Sequence, residues 1–517
     1  DLRGRALPAT AWLGQGRLTA LVREHGGGTL VWGEPGRQVL VSRWRDDLAQ
    51  DLHGHHLHLR DLDTPWTGAP DSSPWRSLTL QPTPGPQWRY GCRLHPASAQ
   101  FTAEGEGLQA RTEVWVAVED DVELRRITLR NVSTRPRRLA LASSFEPVLA
   151  PARADLAHPA FGKLFLQARW APEQQALHWQ RLPRSPGEAS VHAVHALVGA
   201  EPEGGAHLQR VRAAADRSHW GARGGVTGQP GGAIAQAGAQ ALLGADVAGL
   251  CSAAGALDTG NDPLSLLHLV LHLPPGASLT LTLATAAAHE PQTLEHLLDK
   301  LRQPALCESS LTLAHTMAAV RTQGAALAPG AWRAGLALQT LLTSQAAREA
   351  LPLPEQGFER EALWRHGISG DDPILLVRVA DPTGVAMVRE LCALLQAQGS
   401  PWPVDVVVLD AEPPSYLAPV SRALRSLAEQ QRHALGGRCR VHVLADESVG
   451  PDTRLALNLL ARVRWFADGR PLAQQLERLG IAHEQAAKAR RSAGATRVTA
   501  VTARPGLPAP ASRFDPG

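Results

Sequence analysis

Three groups of residues in this chain have the types and spacing for chemistry. The run His53-Gly-His-His-Leu-His58 has metal-ligand chemistry, because on a strand His56 and His58 would share one face. No nearby Cys or Asp/Glu pair completes a set of four, so strand histidines facing solvent are the simpler expectation, and no metal is expected. Trp32, Trp44, Trp66 and Trp75 sit in loop-like sequence with Arg, Asp and Gly, the last three in Ser42-Arg-Trp-Arg-Asp-Asp47, Arg60-Asp-Leu-Asp-Thr-Pro-Trp66 and Asp71-Ser-Ser-Pro-Trp-Arg76. An indole face stacks on the C–H face of a pyranose while flanking charged groups pair with its hydroxyls. The alternative is that these tryptophans plug the core beneath long loops. Asp46, Asp47, Asp61 and Asp63 have the chemistry of a glycosidase carboxylate pair, which works only at a set separation in space.

The elements that would position these residues follow from composition and periodicity. At 517 residues the chain has room for about three domains. Hydrophobic residues at 44% and charged residues at 20% exclude wholesale disorder. A formal charge of +3 with no massed Lys or Arg gives no reason to expect a nucleic-acid partner. The five cysteines are odd in number, far apart and without C-x-x-C, which argues against a disulfide framework or zinc site and fits a reducing compartment. No stretch reaches the 18 or so apolar residues of a membrane helix. The opening Asp-Leu-Arg-Gly looks like a piece of something longer.

Residues 1–290 read as a large antiparallel β-sandwich. Arg111–Val118 and Val122–Arg130 alternate apolar and polar at period two, and Leu264–Leu273 and Ser278–Ala284 flank a Pro-Pro-Gly turn. Residues 291–355 read as linker helices, with Leu294, Leu297, Leu298 and Leu301 on one face. Residues 356–475 read as a small parallel α/β domain of three units. Its strands lie near Pro373–Val379, Val404–Leu409 and Cys439–Leu444, followed by helices at Gly384–Gln398, Leu417–Leu435 and Thr453–Phe466. The loop Ala380-Asp-Pro-Thr-Gly384 carries no nucleotide-binding glycine pattern, so no cofactor is expected. Residues 476–517 read as an Ala/Arg/Pro-rich linker.

Several motifs resemble a known family. Gly26-Gly-Gly28 with Trp32, Arg43-Trp-Arg-Asp-Asp47 and His58-Leu-Arg-Asp61 resemble the opening of the sugar-phosphorylase sandwich domain, with His58 where that pattern has tyrosine. Asp121–Asn131 looks like its strand–Asn segment. Ser143-Ser-Phe-Glu-Pro-Val-Leu-Ala150, running into Ala154-Asp-Leu-Ala-His-Pro-Ala-Phe161, is similar to a stretch of cyclic β-1,2-glucan synthases, as are Arg184-Ser-Pro-Gly187 and Leu363–Asp371. The resemblance implies the first sandwich segment of the C-terminal, family-94 phosphorylase-like half of such a synthase. It implies a catalytic barrel outside this chain, with no catalytic residue carried over. Implied partners are β-1,2-glucan or a related oligosaccharide and the parent's remaining domains. The implied location is the cytoplasmic face of a bacterial inner membrane, reached through parts outside this chain. Trp44, Arg60, Asp61, Trp66, Trp75, Asp155 and His158 are the candidate sugar-contacting residues; Asp155, His158 and Pro159 also fit a plain buried turn. The alternative function is a self-sufficient carbohydrate-active enzyme using Asp46, Asp61 or Glu146.

Overall fold

The computed structural model describes residue 2 and residues 5–14, 16–34, 36–44, 54–64, 75–217, 251, 253–260, 262–325, 331–344, 358–398, 403–413, 415–434 and 439–497. Its fold is mainly β with an α/β unit. The centre is a nine-stranded antiparallel sheet that includes Leu108–Val116, Val122–Asn131, Val191–Glu203 and Ser278–Ala288. Each strand alternates between two cores. Ile127 and Leu129 point inward to the main core, while Val122 and Leu124 point outward. The outward face is covered by helices Pro291–Leu301 and Pro304–Gly324, and Leu294, Leu297, Leu298 and Leu301 all bury there as their spacing required.

Facing the inner side is a five-stranded sheet in the order His207–Asp216, Pro263–Leu273, Arg137–Phe145, His56–Asp61, Arg76–Ser77. Leu57, Leu59, Leu139, Leu141, Leu267 and Leu269 fill the space between the sheets. Removing this much apolar surface from water drives the sandwich together, at about 25 cal/mol per Å². The Pro-Pro-Gly turn is not a hairpin: strand Pro263–Leu273 lies in the five-stranded sheet and Ser278–Ala288 in the nine-stranded one. Asn131 staples this crossing. Its amide nitrogen donates to the carbonyls of Arg135, Leu273 and Pro274, which explains an asparagine at the end of its strand.

A second five-stranded sheet is built from Thr10–Leu13, Leu18–Arg23, Gly28–Trp32, Val39–Ser42 and Pro147–Ala150. The glycine triplet serves its second hairpin. A Cβ on Gly26 would lie 2.0 Å from Thr79 Oγ1, and one on Gly28 would lie 2.0 Å from the Leu21 carbonyl. The outer strand Thr10–Leu13 has its free edge covered by helix Ala331–Leu342, whose Thr340 hydroxyl and Gln339 side-chain Oε1 accept the Thr10 and Trp12 amides.

The parallel sheet has four strands, in the order Cys439–Ala445, Val404–Asp410, Ile374–Val379, Ala461–Ala467. The helix expected over Thr453–Phe466 is therefore corrected. It spans Pro451–Leu460, and the chain turns directly into strand Ala461–Ala467. Alternation of buried Ala461, Val463 and Ala467 with more exposed arginines and aromatics is a strand pattern that leucine spacing had masked. Helix Leu472–Arg497 runs into the stretch expected as linker from 476, burying Leu472 and Leu476, while residues 498–517 lie outside the described residues. Its Glu484 accepts the Ala6 and Leu7 amides at 2.9 and 2.6 Å, so the two ends of the described chain meet.

Candidate functional site

Period-two alternation decides which side chains share a surface. In the five-stranded sheet of the sandwich, Leu57 and Leu59 point inward, so His56, His58 and Arg60 share the outer face with Ala140, Ala142 and His268. The histidines are not solvent-facing as expected: His56 is 7% exposed and His58 1%. Trp75 packs over this face against Ala140, Ala142, Ala214, Leu264 and Leu266, edge-on to His268 at 6.2 Å. Arg60 is 2% exposed, and neither its Nε nor its Nη1 has a hydrogen-bond partner. His268 is equally without partners at both ring nitrogens. Burial holds His58 down to about 3 with help from His56, and His268 down to about 4 with help from Arg212 and Arg60. Burial also lowers Arg60 to about 10. The face is thus a polar surface on which burial holds His58 and His268 neutral, with the guanidinium groups of Arg60 and Arg212 and a floor of alanines.

The Ser143–Ala150 motif sits where this sheet meets its neighbours, and Ser143, Phe145 and Glu146 each have a task. Ser143 bonds His195 Nε2 at 2.9 Å, and Ser265 bonds His195 Nδ1 at 3.1 Å while accepting the Trp179 indole N–H. Phe145 stacks on His55 with centroids 4.3 Å apart and also meets His195. His55 faces Glu123, which also binds Arg125. Burial opposes ionisation of Glu123, yet Arg125 and His55 hold it well below the usual carboxylate range. His195 is held neutral, its pKa driven well down by burial. These groups join the two sheets of the sandwich through hydrogen bonds inside the core.

Glu146 starts a chain of ion pairs. Arg43 binds Glu146 at 3.1 Å and Asp155 at 2.9 Å. Arg217 binds Glu146 and, at 3.0 Å, Asp262, which in turn holds Lys163 at 2.6 Å. Asp155 comes from helix Ala152–Ala157 and Lys163 from helix Pro159–Lys163. His158 lies between these helices, exposed, on the rim of a shallow cleft also lined by Arg43, Asp155, Arg181 and Arg184.

The sequence-derived candidates therefore separate. Arg60 and Trp75 come together on one face, and Asp155 and His158 on another. Asp61 serves structure: it binds Arg135 at 2.8 Å and Arg137, at the far end of its strand. Trp44 has the Arg23 guanidinium 4.4 Å over its ring and packs, partly buried, against the core of the parallel unit and that of the N-terminal sheet. Trp66, Asp46 and Asp47 lie outside the described residues. Among the described residues no group of three or more His, Cys, Asp or Glu is arranged to hold a metal ion. Sequence reading missed Glu123, His195, Arg217, Asp262 and His268. The available signal was strand parity, which puts Glu123 and His195 on the inward face of otherwise apolar strands.

This architecture is that of a carbohydrate-active enzyme's sandwich. Residues 3–304 match the model of the glycosyl hydrolase 94 supersandwich domain, and the chain belongs to that family. Cyclic beta-(1,2)-glucan synthase NdvB of Rhizobium meliloti (strain 1021) is 26% identical over 491 residues, which is 91% of this chain and 16% of that protein. The N,N'-diacetylchitobiose phosphorylase of Vibrio proteolyticus is 24% identical over 141 residues, 27% of this chain and 16% of that enzyme. The chain thus spans about a sixth of the length of these curated relatives. A bacterial glucoamylase complexed with acarbose aligns over 66% of this chain and 39% of its own, at TM-score 0.33 and 4% identity. No helix among the described residues is long and apolar enough to cross a membrane.

Proposed function

We propose that this chain is the scaffolding, glucan-contacting segment of a multidomain cyclic β-1,2-glucan synthase, and that bond making and breaking occur in other parts of that protein. One observation carries the reading: the described carboxylates that the alternative enzyme would use are held in ion pairs. Asp61 is held by two arginines, and Glu146 lies between Arg43 and Arg217. A general acid needs a raised pKa and a nucleophile needs free oxygens, so carboxylates tied to guanidinium groups suit neither role. The test is direct. The chain is incubated with β-1,2-glucan plus phosphate or water, and glucose phosphate and new reducing ends are measured. No turnover is expected, and turnover would establish the self-sufficient enzyme instead.

Contact with glucan is assigned to the outer face carrying Arg60, Trp75 and His268, which must open to admit a sugar, because these side chains are 2%, 2% and 4% exposed. Its partnerless guanidinium and imidazole have unused capacity for sugar hydroxyls. Titration with linear and cyclic β-1,2-glucans should give a saturable tryptophan fluorescence change that Arg60→Ala removes. A wild-type change unaltered by Arg60→Ala places the contact elsewhere. Anchorage of the parent at the cytoplasmic face of a membrane belongs to the same proposal and is read by fractionating the full-length protein.

A further inference from the structure

A hollow far from that face lies where the sandwich meets the helices of the parallel unit. Its wide part is a chamber of about 220 Å³, walled by Gly14, Ala97, Val116, Ala117 and Ala314, with Arg321 at its edge. Arg321 and Gly14 also line a narrower extension of about 20 Å³, room for about one water, that ends on Trp12, Trp332 and Gln398. The polar groups at this narrow end are orphaned. Trp12 is 2% exposed and Gln398 6%, yet the Trp12 indole N–H and both amide atoms of Gln398 lack a hydrogen-bond partner. Buried polar groups left unsatisfied cost about 1–3 kcal/mol each, and three such atoms meet at this one narrow end. A Cβ on Gly335 would lie 1.5 Å from Gln398 Nε2, so only glycine there seats the amide in this position.

Arg321 decides the ligand's charge. Its Nε has no partner, no carboxylate is paired with it, and burial alone lowers its pKa. Unlike Arg43 or Arg137, it is a half-buried guanidinium without a counter-ion at the edge of a hollow. The chamber walls decide the ligand's other half. They are small and apolar, a surface for the C–H face of a ring, in a volume below the roughly 300 Å³ at which drug-sized pockets begin. We propose that this junction hollow binds a hexose phosphate, with the sugar ring on the Ala/Val/Gly wall and the phosphate on Arg321. A water in the narrow part links the ligand to Trp12 and Gln398. The sugar half rests on the family's action on carbohydrate, as the proposed function does; the anion half rests on Arg321 alone.

Calorimetric titration of the chain with glucose 6-phosphate, inorganic phosphate and glucose tests this. Glucose 6-phosphate should bind at least about tenfold more tightly than either half, and Arg321→Gln should remove about tenfold of its affinity while leaving glucose binding unchanged. Ala314→Leu, which fills the chamber, should abolish sugar phosphate binding. If that variant melts early, Arg321→Gln at the rim carries the test alone. Equal binding of glucose reduces the hollow to a neutral-sugar site, and equal binding of phosphate reduces it to an anion site; each overturns the proposal. So does millimolar glucose 6-phosphate giving no heat, or heat that Arg321→Gln leaves intact. Turnover by the isolated chain would sink the scaffolding function without touching these results.

Discussion

The sandwich and the parallel unit place their carboxylates differently. In the sandwich the partners are remote in sequence: Asp61 reaches Arg135 and Arg137 across 74 and 76 residues, Glu146 reaches Arg217 across 71, and Lys163 reaches Asp262 across 99. In the parallel unit Asp372 and Asp446 also reach across 68 residues, to Arg440 and Arg378, but several other carboxylates are held locally. Asp381 accepts the Thr383 and Gly384 amides at 2.8 and 3.2 Å, Glu412 accepts those of Val420 and Ser421, and Asp468 binds Arg470. A parallel sheet usually offers its helix N-termini to phosphate groups. Here Asp381 fills the first of those positions, which gives the missing glycine pattern a structural counterpart. The lesson is that a region of site-like topology can be closed by its own side chains while an ordinary junction stays open.

Four experiments sharpen or break that contrast. The largest effect belongs to Arg43→Ala, which removes the buried guanidinium shared by Glu146 and Asp155 and leaves Glu146 with Arg217. It should lower unfolding free energy by about 3–5 kcal/mol in denaturant titration. If it costs no more than a surface substitution, the remote pairs do not hold the sandwich together. Acid comes next. His58 and His268 have folded pKa values below the ordinary 6.5, so the unfolded chain binds their protons first. Their contribution is intact above about pH 6.5 and is lost as pH falls through about 4 for His268 and about 3 for His58. His268 alone should account for up to about 3 kcal/mol between those limits, and a His268→Phe variant should flatten that part of the stability–pH curve. Asp381→Ala should give a smaller loss, read as faster hydrogen exchange at the start of helix Pro382–Gln398 with the sandwich amides unchanged. Exchange spreading into the sandwich would show that the two regions are not separable in this way. Arg135→Ala should change least, within about 1 kcal/mol, because that pair is half in solvent and Arg137 remains on Asp61.

The same contrast explains what could be read in advance. Strands such as Val122–Asn131 and helix Pro291–Leu301 announced themselves because their signals are periodic and local. The switch of sheets at Pro274–Gly276 was hidden, since a turn looks alike whether or not the strands beside it pair. Strand Ala461–Ala467 was hidden by leucines of the preceding helix at compatible spacing. Trp44 and Asp61 carry residue types that suit sugar binding, but their partners Arg23, Arg135 and Arg137 appear only once the chain is folded. The junction hollow was beyond any local pattern, because Trp12, Ala97, Arg321 and Gln398 come from four distant segments.

The covered edge of strand Thr10–Leu13 has a consequence in time. Its amides are satisfied by residues 327 and 330 positions later, and Ala6 and Leu7 by one 478 and 477 positions later. At ribosomal speeds of about 5–20 residues per second, the first strand waits on the order of tens of seconds for its cover to be made. During that interval it is an open template for any neighbouring chain, and nascent copies on one message are the nearest. Synthesis of this protein should therefore be most vulnerable to aggregation before helix Ala331–Leu342 leaves the ribosome, and ribosome-bound chaperones should matter most in that window.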